Sequence, residues 1–262
     1  MNGITKGWRG ARRIAAAFPF CKVTIANYRR LNILVSNHDQ QLARRLLCPI
    51  CQRALTACIC HWTSPIDHAV DVLILQHPLE VNNAKNSVRL LHLSLPYSKL
   101  AVGSAFDPEE LQAMLHAPSR LRNVPPGETV HPVLLYTDDV CTPETRYFDA
   151  RTMMVDKQEV LKRIRLVIID GTWRKSRKML FENPILQTLP RMMLIDTPTS
   201  RYTIRKSHKP EQLATLEATG YALMQLERNS EKYHPLLTAF DNFVLQQGYM
   251  RMHGQATRRS DK

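Results

Sequence analysis

Four cysteines crowd into a short segment, as Cys48-Pro-Ile-Cys51 and then Cys58-Ile-Cys60. A Cys-x-x-Cys turn presents two thiolates to one ion, and four thiolates suit tetrahedral zinc. A site closed by four protein ligands is structural rather than catalytic. His61 is adjacent and could replace one sulfur; four reduced cysteines or a redox pair are the readings without metal. Arg44, Arg45 and Arg53 would give a zinc knuckle a basic collar, suited to RNA or simply to the surface of a staple.

The second chemical constellation begins at Asp170. An apolar run, Leu166 to Asp170, leads directly into Gly171-Thr172-Trp173-Arg174-Lys175. A carboxylate ending a strand, then glycine, then a helix start is the geometry of a ligand site, and Asp170 could equally cap the helix. Trp173 fits either a ligand pocket or the core. Further on, Ser200-Arg-Tyr202-Thr-Ile-Arg205 is a polar loop, and Thr215-Leu-Glu217 opens a helix. Arg205 can grip a carboxylate with two parallel hydrogen bonds. Glu217 could also serve only the positive end of its helix.

These residues need a frame. Val70 to Gln76 is a short apolar run, rich in β-branched residues, and reads as a buried strand. Helical spacing follows over residues 83–95, then a strand over 100–106 and a helix opened by Asp107-Pro108. Strands are expected at 132–137, 166–170 and 192–196, with helices at 174–181, 212–226 and 235–247. Strands alternating with helices imply an α/β fold, a mostly parallel sheet with helices on both faces. The expected organisation is a basic, poorly ordered arm over 1–40 (or an over-long gene start), a four-cysteine zinc segment over 41–66, a catalytic domain over 67–252 and a tail over 253–262.

The chain of 262 residues carries 36 Lys and Arg against 23 Asp and Glu, a formal charge of +13. A surplus of that size favours a polyanionic partner, because each neutralised phosphate releases counterions. Apolar runs are too short for a membrane-spanning helix, and Pro19 and Lys22 interrupt the one near the N-terminus. Clustered rather than dispersed cysteines point to a reducing cytoplasm.

Taken in order, these motifs resemble the DTW-domain family, named for the Asp-x-Thr-Trp element matched by Asp170, Thr172 and Trp173. The Ser-x-Tyr-x-Ile-Arg loop, the Thr-Leu-Glu-Ala helix start, the cysteine cluster, and the elements Gln76-His77-Pro78-Leu79-Glu80 and Asn86-Ser87-Val88-Arg89-Leu90 are similar to that family's as well, over roughly residues 48–246. Ser87 and Ala214 depart from its usual Thr and Ser. The resemblance implies a SPOUT-like fold with a C-terminal knot. It implies transfer of the 3-amino-3-carboxypropyl group of S-adenosylmethionine to N3 of a uridine in tRNA, in the variable loop, with release of methylthioadenosine. Asp170 is then the expected base or orienting acceptor. Thr172, Trp173, Ser200, Tyr202, Arg205, Thr215 and Glu217 are expected around the cofactor; His77, Glu80, Arg89, Arg174 and Lys175 around the RNA. Arg205 or Arg89 is expected to pair with the methionine carboxylate or with an RNA phosphate. Two other readings stand beside this one: an S-adenosylmethionine-dependent RNA methyltransferase of the same fold type, told apart by product mass, and a non-catalytic zinc-containing RNA-binding protein, told apart by cofactor binding without RNA.

Overall fold

A computed structural model describes residues 46–121, 124, 128–136, 147–148, 161–200 and 213–260, with side chains to residue 251. The chain divides into two compact units, Met1–His61 and Trp62–Lys262, where a border at residue 66 was expected.

The larger unit is built on six strands: β1 (Asp71–Gln76), β2 (Ser98–Val102), β3 (His131–Leu135), β4 (Tyr147–Phe148), β5 (Ile164–Asp170) and β6 (Arg191–Met192). Their order is β2-β1-β5-β3-β6-β4, and every pairing is parallel. The helices are α1 (Val88–Ser94), α2 (Pro108–His116), α3 (Trp173–Glu182), α4 (Pro184–Gln187), α5 (Thr215–Glu227) and α6 (His234–Ser260). The expected parallel α/β architecture is therefore present.

Every residue of β1 and β5 is buried, as central parallel strands require when both faces are covered. Alternate residues point to opposite faces. Leu73, Leu75, Leu134, Val167 and Ile169 pack on one face with Leu111, Leu115, Met179 and Leu180 of α2 and α3. The intervening residues, among them Ile74 and Ile168, point to the other face. There α5 lies against β5, and α1, α5 and α6 pack on one another. At the N-terminal ends of the central strands Arg165 is buried but satisfied. Its guanidinium forks onto Asp71 at 3.0 and 3.1 Å and donates to the carbonyls of Met114, Leu115 and Pro118.

Several boundaries differ from expectation for local reasons. The first helix begins at Val88, not at 83. The carbonyl oxygens of the Asn83 and Asn86 side chains take the amides of Lys85 and Val88, which offers the backbone an alternative to helix. The second strand stops at Val102. A Cβ on Gly103 would lie 2.7 Å from the Phe106 ring, so the chain turns tightly there into α2, capped by the Asp107 carboxylate on the amides of Glu109 and Glu110. The strand expected at 192–196 shrinks to Arg191–Met192, and the chain soon turns at Asp196, whose φ is 50°. The two-residue β4 carries too little pattern to be read in advance. The last helix runs on to Ser260 rather than ending near 247. Among the described residues no helix is long and apolar enough to cross a membrane. Residues 201–212, which enter α5, lie outside the described residues, as do Tyr202, Arg205 and the arm before residue 46; the strand order alone does not define a knot.

Candidate active site and cysteine centre

In the smaller unit the backbone folds back at Cys48. The amide of Gln52 donates to the Cys48 carbonyl, the amide of Cys48 to the Arg53 carbonyl, and Leu47 and Ala54 form an antiparallel bridge. Gln52 takes the left-handed conformation at φ 56°, which reverses the chain after Cys51. The Sγ atoms of Cys48 and Cys60 lie 3.6 Å apart and those of Cys51 and Cys58 3.8 Å, all four within 4.8 Å of one another. Zn–S bonds of about 2.3 Å arranged tetrahedrally place sulfurs about 3.8 Å apart, so the set fits one zinc ion. His61 is not part of this convergent group. Burial pushes the Cys48 thiol up, but the amides of Cys51 and Ile50 and neighbouring thiols bring it down to about 7. Burial raises Cys58 to about 12 and pushes Cys60 up as well. Arg53 turns its Nε back onto the Ala57 carbonyl at 3.2 Å.

In the larger unit β1 and β5 end side by side, with Gln76 and Asp170 in register. Both polar side chains close apolar strands, and both are buried. The Asp170 carboxylate accepts three hydrogen bonds. Gln76 Nε2 (3.0 Å) and Asn86 Nδ2 (2.7 Å) donate to Oδ2, and Thr215 Oγ1 (2.7 Å) donates to Oδ1. Gln76 is itself braced, its second N–H donating to Asn86 Oδ1 at 3.2 Å. A carboxylate has about four acceptor positions, so Oδ1 keeps one. Burial raises the Asp170 pKa above the usual carboxylate range, opposed by the bonds from Thr215, Gln76 and Asn86 and aided by the charge of Glu80.

Asp170 lines a polar pocket of about 130 Å³ with Glu80, Asn83, Asn86, Thr172 and Thr215. Gly171 keeps the turn below it tight; a Cβ there would lie 3.1 Å from Lys175 Cβ. Thr172 caps α3 by accepting from the Lys175 amide at 3.4 Å. Glu80 is buried, holds Lys175 Nζ at 2.8 Å and accepts from Asn83 at 2.9 Å. The arrangement offers a desolvated base beside hydroxyl and amide donors at the C-terminal edge of a parallel sheet, where such folds bind ligands.

The remaining sequence candidates take other places. His77 Nδ1 accepts from the Leu79 amide at 3.2 Å, and its own amide donates to the Asp170 carbonyl. Arg89 is half-buried on α1, and Arg174 is exposed on α3. Glu217 is fully buried; its Oε2 accepts from Ser200 Oγ at 2.7 Å and the Ala214 amide at 2.8 Å, which ties Ser200 to the start of α5. Trp173 is neither core nor pocket lining. It is 41% exposed and stands edge-on to Tyr136 at 5.8 Å, on the face of the sheet opposite to the Asp170 carboxylate. Gln76 and Asn86 are site residues to which the sequence alone gives no role. The available signal was a glutamine ending an otherwise apolar strand.

A parallel sheet covered on both faces, with a buried carboxylate and converging donors at its C-terminal edge, defines an α/β protein with a built ligand site. The family model described as DTW domain matches residues 45–248, and the chain belongs to that family. It is similar to tRNA-uridine aminocarboxypropyltransferase 2 of Macaca fascicularis, 27% identical over 215 residues covering 78% of this chain and 65% of that one. The Mus musculus protein of the same name is 26% identical over the same shares, and that of Drosophila melanogaster is 29% identical over 196 residues, 72% of this chain and 69% of the relative. The chain thus spans about 65% of the length of the two mammalian relatives. No solved structure matches it.

Proposed function

We propose that this protein transfers the 3-amino-3-carboxypropyl group of S-adenosylmethionine to N3 of a uridine in tRNA, in the variable loop. The observation that carries the reading is Asp170: a buried carboxylate with three donors and one free acceptor position, lining a polar pocket at the sheet edge. The family membership and the printed names of the relatives support the same chemistry.

S-adenosylmethionine supplies an electrophilic γ-carbon bonded to a sulfonium. In the transfer the N3–C bond forms, the C–S bond breaks, and the electron pair stays on sulfur in methylthioadenosine. The N3 proton goes to Asp170 Oδ1, whose raised pKa makes it a stronger base than an exposed carboxylate. Thr215, Gln76 and Asn86 hold the carboxylate in one orientation, so no reorganisation is needed when the proton arrives. The choice of γ-carbon over methyl is a matter of how the donor is oriented, a task assigned here to Thr172, Ser200, Tyr202 and Arg205, with Glu217 bracing Ser200.

The four-thiolate centre fits zinc as a structural ion and supplies no step of the transfer. We assign the basic surface to tRNA and the setting to the cytoplasm. Mass spectrometry of nucleosides after incubating purified protein with unmodified transfer RNA and S-adenosylmethionine tests the reading. An aminocarboxypropyl uridine is expected. A methylated nucleoside, or unchanged RNA despite bound S-adenosylmethionine, would overturn it.

A further inference from the structure

Two arginines of the sheet are buried, and they contrast. Arg165, 3% exposed, is met by the Asp71 carboxylate and three carbonyls. Arg191, on β6, is 9% exposed, and its Nε is fully buried with no acceptor. Among the described residues no carboxylate or carbonyl accepts from its guanidinium. What it has is the Tyr136 ring, whose centroid lies 5.8 Å from Cζ. A ring face attracts a cation but satisfies none of its N–H donors in a directed way. An uncompensated buried charge is strongly unfavourable, so a site that keeps one is built for an anion that comes from outside.

The surroundings say which anion. Tyr136 stands edge-on to the exposed indole of Trp173. Tyr147 pairs in register with Arg191 on β4, so its side chain is on the same face, and it is 47% exposed. Trp173 opens α3, and Arg174, Arg177 and Lys178 of that helix are exposed. Aromatic faces for bases, exposed cations for the strand and one buried planar guanidinium for a phosphate are the parts of a single-strand grip. We infer that Arg191, shelved on Tyr136, is a phosphate-binding residue that anchors the RNA strand on the face of the sheet opposite to the Asp170 carboxylate. The inference rests on the RNA-modifying reading above and adds to it a specific anchor.

Arg191→Met keeps length and apolar bulk while removing the charge. Labelled unmodified transfer-RNA transcript is titrated with wild type and variant across a potassium chloride series. The variant should bind about tenfold or more weakly at low salt, the scale of one hydrogen-bonded charge partner, and the slope of log affinity against log salt should fall by about one. Inorganic phosphate alone should raise the melting temperature of the wild type and leave that of the variant unmoved. In phosphate-free buffer the variant should be at least as stable as wild type, because it loses an unpaired buried charge. Equal salt slopes, equal phosphate effects, or a variant that fails to fold would each overturn the inference. So would weaker S-adenosylmethionine binding by the variant with RNA binding intact, which would assign Arg191 to the methionine carboxylate instead. Failure of the reading beneath it looks different: wild type then yields no aminocarboxypropyl product, whatever Arg191→Met does.

Discussion

The cysteine centre and the Asp170 pocket solve opposite problems with buried groups that carry charge. The centre draws all four ligands from residues 48–60, held by one backbone reversal, and every sulfur points at its neighbours. With a zinc ion bound, nothing would be left over to react. The pocket draws its donors from residues 76, 86 and 215 onto a carboxylate at 170: a strand end, the turn before α1 and the start of α5, far apart in sequence. There one acceptor position is left over. A centre whose valences are all spent inside one short segment stabilises that segment. A carboxylate that keeps an unused acceptor position in a polar pocket has room for one more donor, which the proposed transfer would supply as the N3 proton. The difference is one of completeness, and it can be tested group by group.

The largest effect is expected at the cysteines. The protein should carry one zinc ion, and Ser in place of Cys48, Cys51, Cys58 or Cys60 should abolish it, since structural zinc contributes on the order of 10 kcal/mol to small sites. Replacing Cys21 or Cys141, which lie outside the described residues, should leave the metal content unchanged. Elemental analysis checks both, and full zinc in Cys58→Ser would undo the four-thiolate assignment. Next is Asp170→Asn. The amide can turn its oxygen to Gln76 and Asn86 and its nitrogen to the Thr215 hydroxyl, so shape survives while basicity goes. Turnover should fall about a hundredfold or more; near-normal turnover would reduce Asp170 to a structural hub.

Thr215→Val should cost about tenfold in turnover, the scale of one hydrogen bond to a charged group. Activity is expected to be lost as the pH falls through the raised Asp170 pKa. Because the Thr215 bond lowers that pKa, the variant's inflection should move to higher pH. A pH profile with the wild-type inflection would break the link. The smallest effect is on stability. Burial outweighs the three donors, so the ionised carboxylate weakens the fold at any pH above its unfolded-state pKa. The penalty is absent in acid and grows until the raised folded-state value is passed. Asp170→Asn should therefore melt at the wild-type temperature or higher at neutral pH, and the gap should close on acidification. A lower neutral melting temperature would show that the donors outweigh burial.

The cysteine set was legible because its information is local: spacing alone brings sulfurs together. Asp170 was legible because an apolar strand ending in a carboxylate before glycine is a local pattern too. Gln76 and Asn86 were not, since Gln76 meets Asp170 through the register of β1 against β5 and Asn86 through the turn before α1, neither of which local spacing encodes. The parallel sheet followed from alternating strands and helices, but its order did not. Two-residue strands such as β4 and β6 are defined by their partners rather than by their own sequence. Trp173 was read as pocket or core. The structure sets it half-exposed at the start of α3 against Tyr136, on the α2 and α3 side of the sheet.

The register of β1 against β5 also sets a timetable for the ribosome. Gln76 waits for Asp170, which is made 94 residues later. At about 5–20 residues per second that is roughly 5 to 20 s during which β1, an apolar strand six residues long, has only β2 to pair with. The four cysteines are complete by residue 60 and have no such wait. During synthesis the four-cysteine segment can therefore close while the parallel sheet is still half a sheet, with an open apolar edge that nascent-chain chaperones are suited to cover.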